Sequence, residues 1–308
     1  MTTNAIQSSH IYSTYFAPRG RSRIYTLGMQ IAQLYLSPFD QIIGFIGEAG
    51  SGKSVLIKGM FPGIELTNDD DGVNVRPLPL LEQEYETGFF TPHTYHLDIR
   101  FETGFHQLSE LADAVQLAVR RGKRIIIEHF DLIYPLLGVN ANLLIGVGEQ
   151  IVITRPNLFG PLPQELCDIV YPSLAYRLMA HSAEDLCEYA MTQEQMLACS
   201  HGDIRHGFVL EFNEHQPDID IPALEARVNE LIRADLPIDY YDESHILLGG
   251  VQHYCTGPRT HVHSTGRIIG FRLLDHFIYD HFHKTYMLVG CVGDDSEENI
   301  RKLEKIHG

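Results

Sequence analysis

Residues 44–54 read Gly-Phe-Ile-Gly-Glu-Ala-Gly-Ser-Gly-Lys-Ser, and from Gly47 to Ser54 the spacing is G-x-x-x-x-G-K-S. That spacing is the signature of a phosphate-binding loop. Gly47, Gly50 and Gly52 allow a tight turn that aims backbone N–H groups at phosphate oxygens. Lys53 sets a cation at the β- and γ-phosphates, and Ser54 offers a hydroxyl to Mg²⁺. A helix that starts here turns its positive end toward the same anion. The flanks suit the motif. Ile42–Ile46 is an apolar run that reads as a strand, and Val55 to Met60 can begin a helix. The candidate nucleotide site is therefore Gly47, Glu48, Ala49, Gly50, Ser51, Gly52, Lys53 and Ser54.

Upstream, Ile24, Leu27, Ile31 and Leu34 recur at helical spacing over 23–36, and Ser37-Pro38 ends that helix. Downstream, the acidic stretch 65–72 reads as a solvated loop. Residues 94–99 alternate as a strand does, 108–119 fit a helix, and 124–128 fit a buried strand ending in Glu128. Residues 150–154 form another short strand. Strands alternating with helices predict an α/β fold with a parallel or mixed sheet and ligands at the strands' carboxyl ends. Glu128 is placed to hold Mg²⁺ with Ser54, and Asp98 to orient an attacking water or the metal. Lys53, Asp98 and Glu128 are the candidate catalytic set. A carboxylate at a strand end reads equally well as a loop cap.

Proline, glycine and asparagine cluster over 156–163, which predicts a boundary near 165 and two domains, 1–165 and 166–308. In the second half, 178–191 and 223–234 read as helices, 207–212 and 270–274 as strands, and 255–266 as a long loop. His181 and Asp185 are four apart and share a helix face. With Cys255 and His261 from the distant loop they make a candidate tetrahedral zinc set. His at i with Asp at i+4 is equally an ordinary surface pair.

The chain has 308 residues, 44% hydrophobic and 20% charged, enough apolar content to build a core. A net charge of −17 excludes a bulk nucleic-acid coat. Arg120-Arg121-Gly122-Lys123-Arg124 is either a local basic patch for RNA or a helix end capped by glycine. No apolar stretch approaches a membrane span and the first ten residues lack a signal-peptide pattern. Five scattered cysteines, an odd number, are not a disulfide framework, which points to a reducing cytoplasm.

Two resemblances extend this reading. Thr26-Leu27-Gly28, Gly47 to Ser54, Tyr95-His96-Leu97-Asp98-Ile99-Arg100 and Ile126-Ile127-Glu128 occur in one order over roughly 20–135. This resembles the small P-loop ATPase component of the bacterial threonylcarbamoyl-adenosine tRNA-modification system. The likeness implies that Lys53 and Ser54 bind phosphate and Mg²⁺, that Asp98 serves catalysis and that Glu128 assists the metal. Two departures touch partner coupling: the family's Ser-Pro-Thr switch is replaced near Val75-Arg76-Pro77-Leu78, and His129 follows Glu128 where the family has Trp.

Over roughly 175–293 run His181-Ser182, Asp185-Leu186, Gly207-Phe208, Glu211-Phe212, Cys255-Thr256-Gly257-Pro258, His261-Val262, Thr265-Gly266 and Phe271. This order resembles the editing, or second additional, domain of threonyl- and alanyl-tRNA synthetases. The likeness implies a metal- or water-dependent deacylase site at His181, Asp185, Cys255 and His261. Asp185 stands where that family has His, and two extra residues precede His261. The expectation is then a P-loop NTPase domain followed by an α+β editing-like domain. Its cofactors would be ATP and Mg²⁺, with Zn²⁺ in the second half. Its partner would be tRNA or a tRNA-modifying or aminoacylating protein, with no membrane. The alternatives are a small-molecule P-loop kinase and a nucleotide-dependent switch with a non-catalytic second domain.

Overall fold

The computed structural model describes residues 12–66, 93–213 and 215–307. The segment 75–78 and most of the acidic stretch 65–72 lie outside the described residues. The chain is a mixed α/β protein of two compact units. The first runs up to Ala17 and from Arg21 to Pro172; the second is Pro18–Gly20 with Ser173 onward. The division therefore falls past the expected boundary at 165.

In the first unit, β1 (Ser13–Phe16), β2 (Ile42–Ile46), β3 (Thr94–Asp98), β4 (Arg124–Glu128), β5 (Leu143–Val147) and β6 (Gln150–Thr154) form one sheet in the order β1-β6-β5-β2-β4-β3. Strands β2, β3, β4 and β5 are parallel, while β6 and β1 add antiparallel at one edge. The central strands are apolar on both faces because both faces are covered. Their alternate residues separate into two cores. Ile43, Phe45, Ile126 and Ile145 meet Ile24, Leu27 and Ile31 of α1 (Arg21–Tyr35) and Leu56 and Ile57 of α2 (Lys53–Met60). Ile42, Ile46, Ile125 and Ile127 meet the other face's helices, through Leu111 and Val115 of α4 (Leu108–Arg120), Phe130 and Ile133 of α5 (Phe130–Leu137) and Leu166 and Val170 of α6 (Pro163–Ala190). Between β3 and α4 lies the single turn α3 (Ile99–Glu102).

Helices α1 and α2 cross at two glycines. A Cβ on Gly59 would stand 2.2 Å from Tyr25 O, and one on Gly28 would stand 2.5 Å from Leu56 O. The Arg120–Arg124 segment is accounted for by local structure. Gly122 turns at φ 76°, its N–H and that of Lys123 close on Val119 O and Ala118 O, and Arg124 donates to the carbonyls of Ser37, Pro38 and Asp40. That is a helix C-terminus closed by an αL glycine.

The helix expected over 178–191 is longer than the sequence pattern implies. Helix α6 starts at Pro163 and runs through Pro172, so its residues serve both units. In the second unit, α7 (Gln193–Ala198) leads into β7 (Cys199–Ile204) and β8 (Gly207–Asn213), followed by α8 (Ile221–Arg233). Strands β9 (Ile238–Asp242), β10 (His245–Leu248) and β11 (Val251–Tyr254) form an antiparallel meander. Strands β12 (Arg272–Leu273), β13 (Ile278–Asp280) and β14 (Thr285–Cys291) join β8 and β7 in a second antiparallel sheet, and α9 (Ser296–His307) closes the unit. Phe208, Leu210 and Phe212 alternate into a core with Leu224 and Val228 of α8. Val209 faces the opposite way, with Leu274 and Val289. The strand expected at 270–274 shrinks to Arg272–Leu273, because Gly270 sits at φ 63° against Gly293 O and turns the chain before pairing begins.

Candidate functional sites

In the first unit the sheet delivers three strand ends to one place. Strand β2 runs into the 47–52 loop, and β3 and β4 pair in parallel with Asp98 level with Glu128. Gly47, Gly50 and Gly52 all have positive φ. A Cβ on Gly47 would meet Val147 O at 2.5 Å, so the loop lies against the end of β5 and admits only glycine there. Helix α2 begins at Lys53 with Gly52 as its N-cap, so backbone N–H groups without intrahelical carbonyls gather at the loop.

Lys53 is buried, and its Nζ donates to Gly47 O at 3.0 Å and Glu48 O at 2.9 Å. It stands 3.7 Å from Glu128 Oε2. Burial lowers the ammonium's pKa, against the opposing pull of Glu128 and Asp98. Ser54 Oγ donates to Glu128 Oε1 at 3.2 Å, and His96 Nε2 lies 3.1 Å from the same oxygen. Burial disfavours the Glu128 carboxylate, but the His96 hydrogen bond and the charges around it prevail and hold its pKa below the ordinary value. The Ser54–Glu128 oxygen pair suits a hard divalent cation. Asp98 is buried and caps α3, with Oδ1 accepting from Phe101 N at 3.2 Å. Glu48 reaches outward to Arg100 at 3.0 Å. His129 follows Glu128 at φ 57°, and its Nδ1 takes no hydrogen bond among the described residues. Burial, then the charges of Lys53 and Arg100, push its pKa down to about 4, so it is neutral at pH 7.

In the second unit three of the four expected zinc residues converge. Asp185 Oδ2 lies 2.7 Å from His261 Nε2, and Cys255 Sγ lies 3.7 Å from the same nitrogen. The three donor atoms all fall within 4.8 Å of one another. His181 engages other partners: Nδ1 is 3.0 Å from Thr260 Oγ1 and Nε2 is 3.7 Å from Asp203 Oδ1. Asp185 and Cys255 have instead acquired a partner that no local pattern announces. Arg19, buried, donates to Asp185 Oδ1, to Glu184 Oε2 and, at 3.0 Å, to Cys255 Sγ. Burial alone would neutralise Asp185, but Arg19 and the His261 hydrogen bond hold its pKa far below the carboxylate range. At Glu184 burial prevails and pushes the pKa up to about 7.

Asp185, Cys255 and His261 offer one oxygen, one sulfur and one nitrogen, a donor set that fits zinc in type. Arg19 then supplies an outer partner to the carboxylate and the sulfur. The same atoms do not make a nucleophilic Cys–His–Asp relay. Cys255 and Asp185 both address Nε2 of His261, while Nδ1 faces Pro258 O at 3.3 Å. Burial, then the Asp185 charge, push the Cys255 thiol up to about 12, which keeps it protonated.

Arg19, Glu184, His96 and Arg100 are not among the site residues that the sequence pattern points to. Of these His96 carries a local signal, since it alternates with Asp98 along β3 and so shares its face, and Arg100 closes the same Tyr95–Arg100 segment. Among the described residues no helix is long and apolar enough to cross a membrane. No protein-family model matches the chain, and no curated protein matches it either.

Proposed function

We propose that the chain is an Mg²⁺-dependent ATP-binding protein that hydrolyses ATP at the Gly47–Ser54 loop. Its first unit is read as a P-loop NTPase domain and its second as an editing-like domain directed at an aminoacyl or tRNA-related group. One observation carries the reading: Lys53, Ser54 and Glu128 meet at the carboxyl end of parallel strands, where a glycine loop opens a helix. In this reading the backbone from Gly47 to Ser54 cradles the β- and γ-phosphates. Lys53 exchanges its two carbonyl partners for phosphate oxygens, and Asp98 orients the attacking water. Ser54 and Glu128 would hold Mg²⁺, which would neutralise phosphate charge.

In the second unit the buried Asp185–His261 pair supports a polar pocket for the acceptor, and Asp185, Cys255 and His261 would hold Zn²⁺, which would supply Lewis acidity there. A net charge of −17 disfavours independent affinity for tRNA, so RNA is reached through a partner protein. The five unbridged thiols suit a reducing cytoplasm. The test is ATP turnover by the purified chain, with and without bulk tRNA, against Lys53→Ala as the blank. Turnover that is lost in the variant supports the ATPase reading, and stimulation by tRNA supports the coupling. Equal ATP affinity and turnover in Lys53→Ala would refute the site.

A further inference from the structure

One helical turn beyond Asp185, a second set of ligating side chains converges that shares no residue with the first. Glu188 is buried on α6, and its Oε1 faces β7. Cys199 and His201 alternate on that strand, so both point to the same side. Cys199 Sγ lies 3.7 Å from Glu188 Oε1, and His201 Nε2 makes a short contact with the same oxygen. The three donor atoms all fall within 4.8 Å of one another. Ligands of a tetrahedral zinc ion, at about 2.0–2.3 Å from the metal, stand about 3.3–3.8 Å apart, so these atoms need little movement to enclose one.

A second, independent observation points into the same place. His253, on β11, is more than nine-tenths buried, yet its Nε2 takes no hydrogen bond among the described residues and stands 3.9 Å from Glu188 Oε2. Edge-on packing against Tyr189 fixes the ring. A buried imidazole nitrogen without a partner is costly. It becomes satisfied if Oε1 of Glu188 turns to an ion and Oε2 swings toward His253. That is the arrangement in which an outer hydrogen bond orients a metal-bound carboxylate.

We propose that Glu188, Cys199 and His201 form a zinc-binding site, with His253 as the outer partner of Glu188. Sulfur, imidazole and carboxylate donors select a borderline-soft ion such as Zn²⁺ over Mg²⁺ or Ca²⁺. Three protein ligands leave a fourth position for water, on the side where His201 is partly exposed. Binding releases the thiol proton of Cys199, and the proton shared by His201 and Glu188, to solvent. The thiolate and the carboxylate then balance the dication.

The test uses the full chain, stripped with EDTA and titrated with Co²⁺ as a spectroscopic stand-in and with Zn²⁺ in competition. Wild-type protein is expected to develop a thiolate-to-cobalt charge-transfer band that Zn²⁺ abolishes. Cys255→Ser, which removes the thiolate of the Asp185 set, should keep a band that belongs to Cys199, and Cys199→Ser/Cys255→Ser should lose it. A second measurement needs no variant: Zn²⁺ should slow alkylation of Cys199 at least tenfold, read by peptide mass. His253→Gln should weaken Zn²⁺ about 10- to 100-fold, the range for lost outer partners. No band in Cys255→Ser, a band kept in Cys199→Ser/Cys255→Ser, or Cys199 alkylation indifferent to Zn²⁺ would each overturn the site.

Discussion

Replacing Arg19 by methionine isolates the buried charge cluster of the second unit. The guanidinium is 2% exposed and is held by Glu184 and Asp185, which are equally buried. Methionine keeps the aliphatic bulk and removes the charge. Breaking one side of a buried ion pair costs about 3–5 kcal/mol, because the partner is left charged in the interior. Two carboxylates lose their cation here, but one has an escape.

Glu184 already titrates near 7 in the fold, pushed up by burial against the pull of Arg19. Its folded pKa lies above its ordinary value, so the fold favours the protonated acid. That contribution is present below about pH 4.5 and is lost as pH rises through about 7. Without Arg19 the folded pKa rises further and the penalty at alkaline pH grows. We expect Arg19→Met to lose about 3 kcal/mol at pH 8 and clearly less at pH 5.5, where Glu184 is protonated with or without Arg19. For a unit of this size, 1 kcal/mol moves the midpoint by about 3–4 °C, so the drop at pH 8 is about 10 °C. Calorimetry in EDTA at both pH values reads it, and Arg19→Met/Glu184→Gln should recover part of the loss at pH 8. A midpoint within about 3 °C of wild type at pH 8, or the same drop at both pH values, would show that the cluster does not hold the charge balance described.

Three further outcomes follow from the first unit. Gly59→Ala puts a methyl 2.2 Å from Tyr25 O, a backbone atom that cannot swing aside, and should cost about 3 kcal/mol by forcing α1 and α2 apart; an unchanged unfolding midpoint would mean the helices cross less closely. Glu128→Gln keeps the shape that meets Ser54, His96 and Lys53 but removes the charge; on the ATPase reading it should leave nucleotide binding without metal intact and raise the Mg²⁺ requirement about tenfold. Turnover measured across Mg²⁺ concentrations decides this, and an unaltered Mg²⁺ dependence would remove Glu128 from the metal. Phe130→Ala empties a fully buried ring position over Gly44 and should cost about 3–5 kcal/mol by denaturant unfolding, a reading refuted by a loss below about 1 kcal/mol.

The first unit is the more legible from sequence because its signals are local. Ile42–Ile46 and Arg124–Glu128 are short apolar runs bounded by polar residues, and parallel strands covered on both faces must look that way. Strand β5 is as apolar as either, but only Gly148 and Glu149 separate it from β6. Helix α6 hides behind Pro172, which usually marks a boundary and here sits inside a helix. Asp185, Cys255 and His261 can be gathered from residue type and helix spacing, yet the same spacing also recruits His181. Sharing a helix face sets a direction and not a partner, and Thr260 and Asp203 claim that ring. Arg19 is beyond reach, since Pro-Arg-Gly has no periodicity and its partners lie 165 to 236 residues away.

That separation has a consequence for how the chain is made. Residues 18–20 leave the ribosome long before Glu184, Asp185 and Cys255, which emerge only after the first unit has been synthesised. A nascent chain therefore carries the Arg19 guanidinium without its carboxylates while the first unit's sheet is synthesised. Closing that gap completes the second unit, and closures of such span are slow to form. A fragment beginning at Ser173 would hold the carboxylates and lack Arg19. Supplying residues 12–20 to it as a separate peptide turns the late step of synthesis into a binding reaction, whose affinity reads how much the guanidinium contributes to the unit.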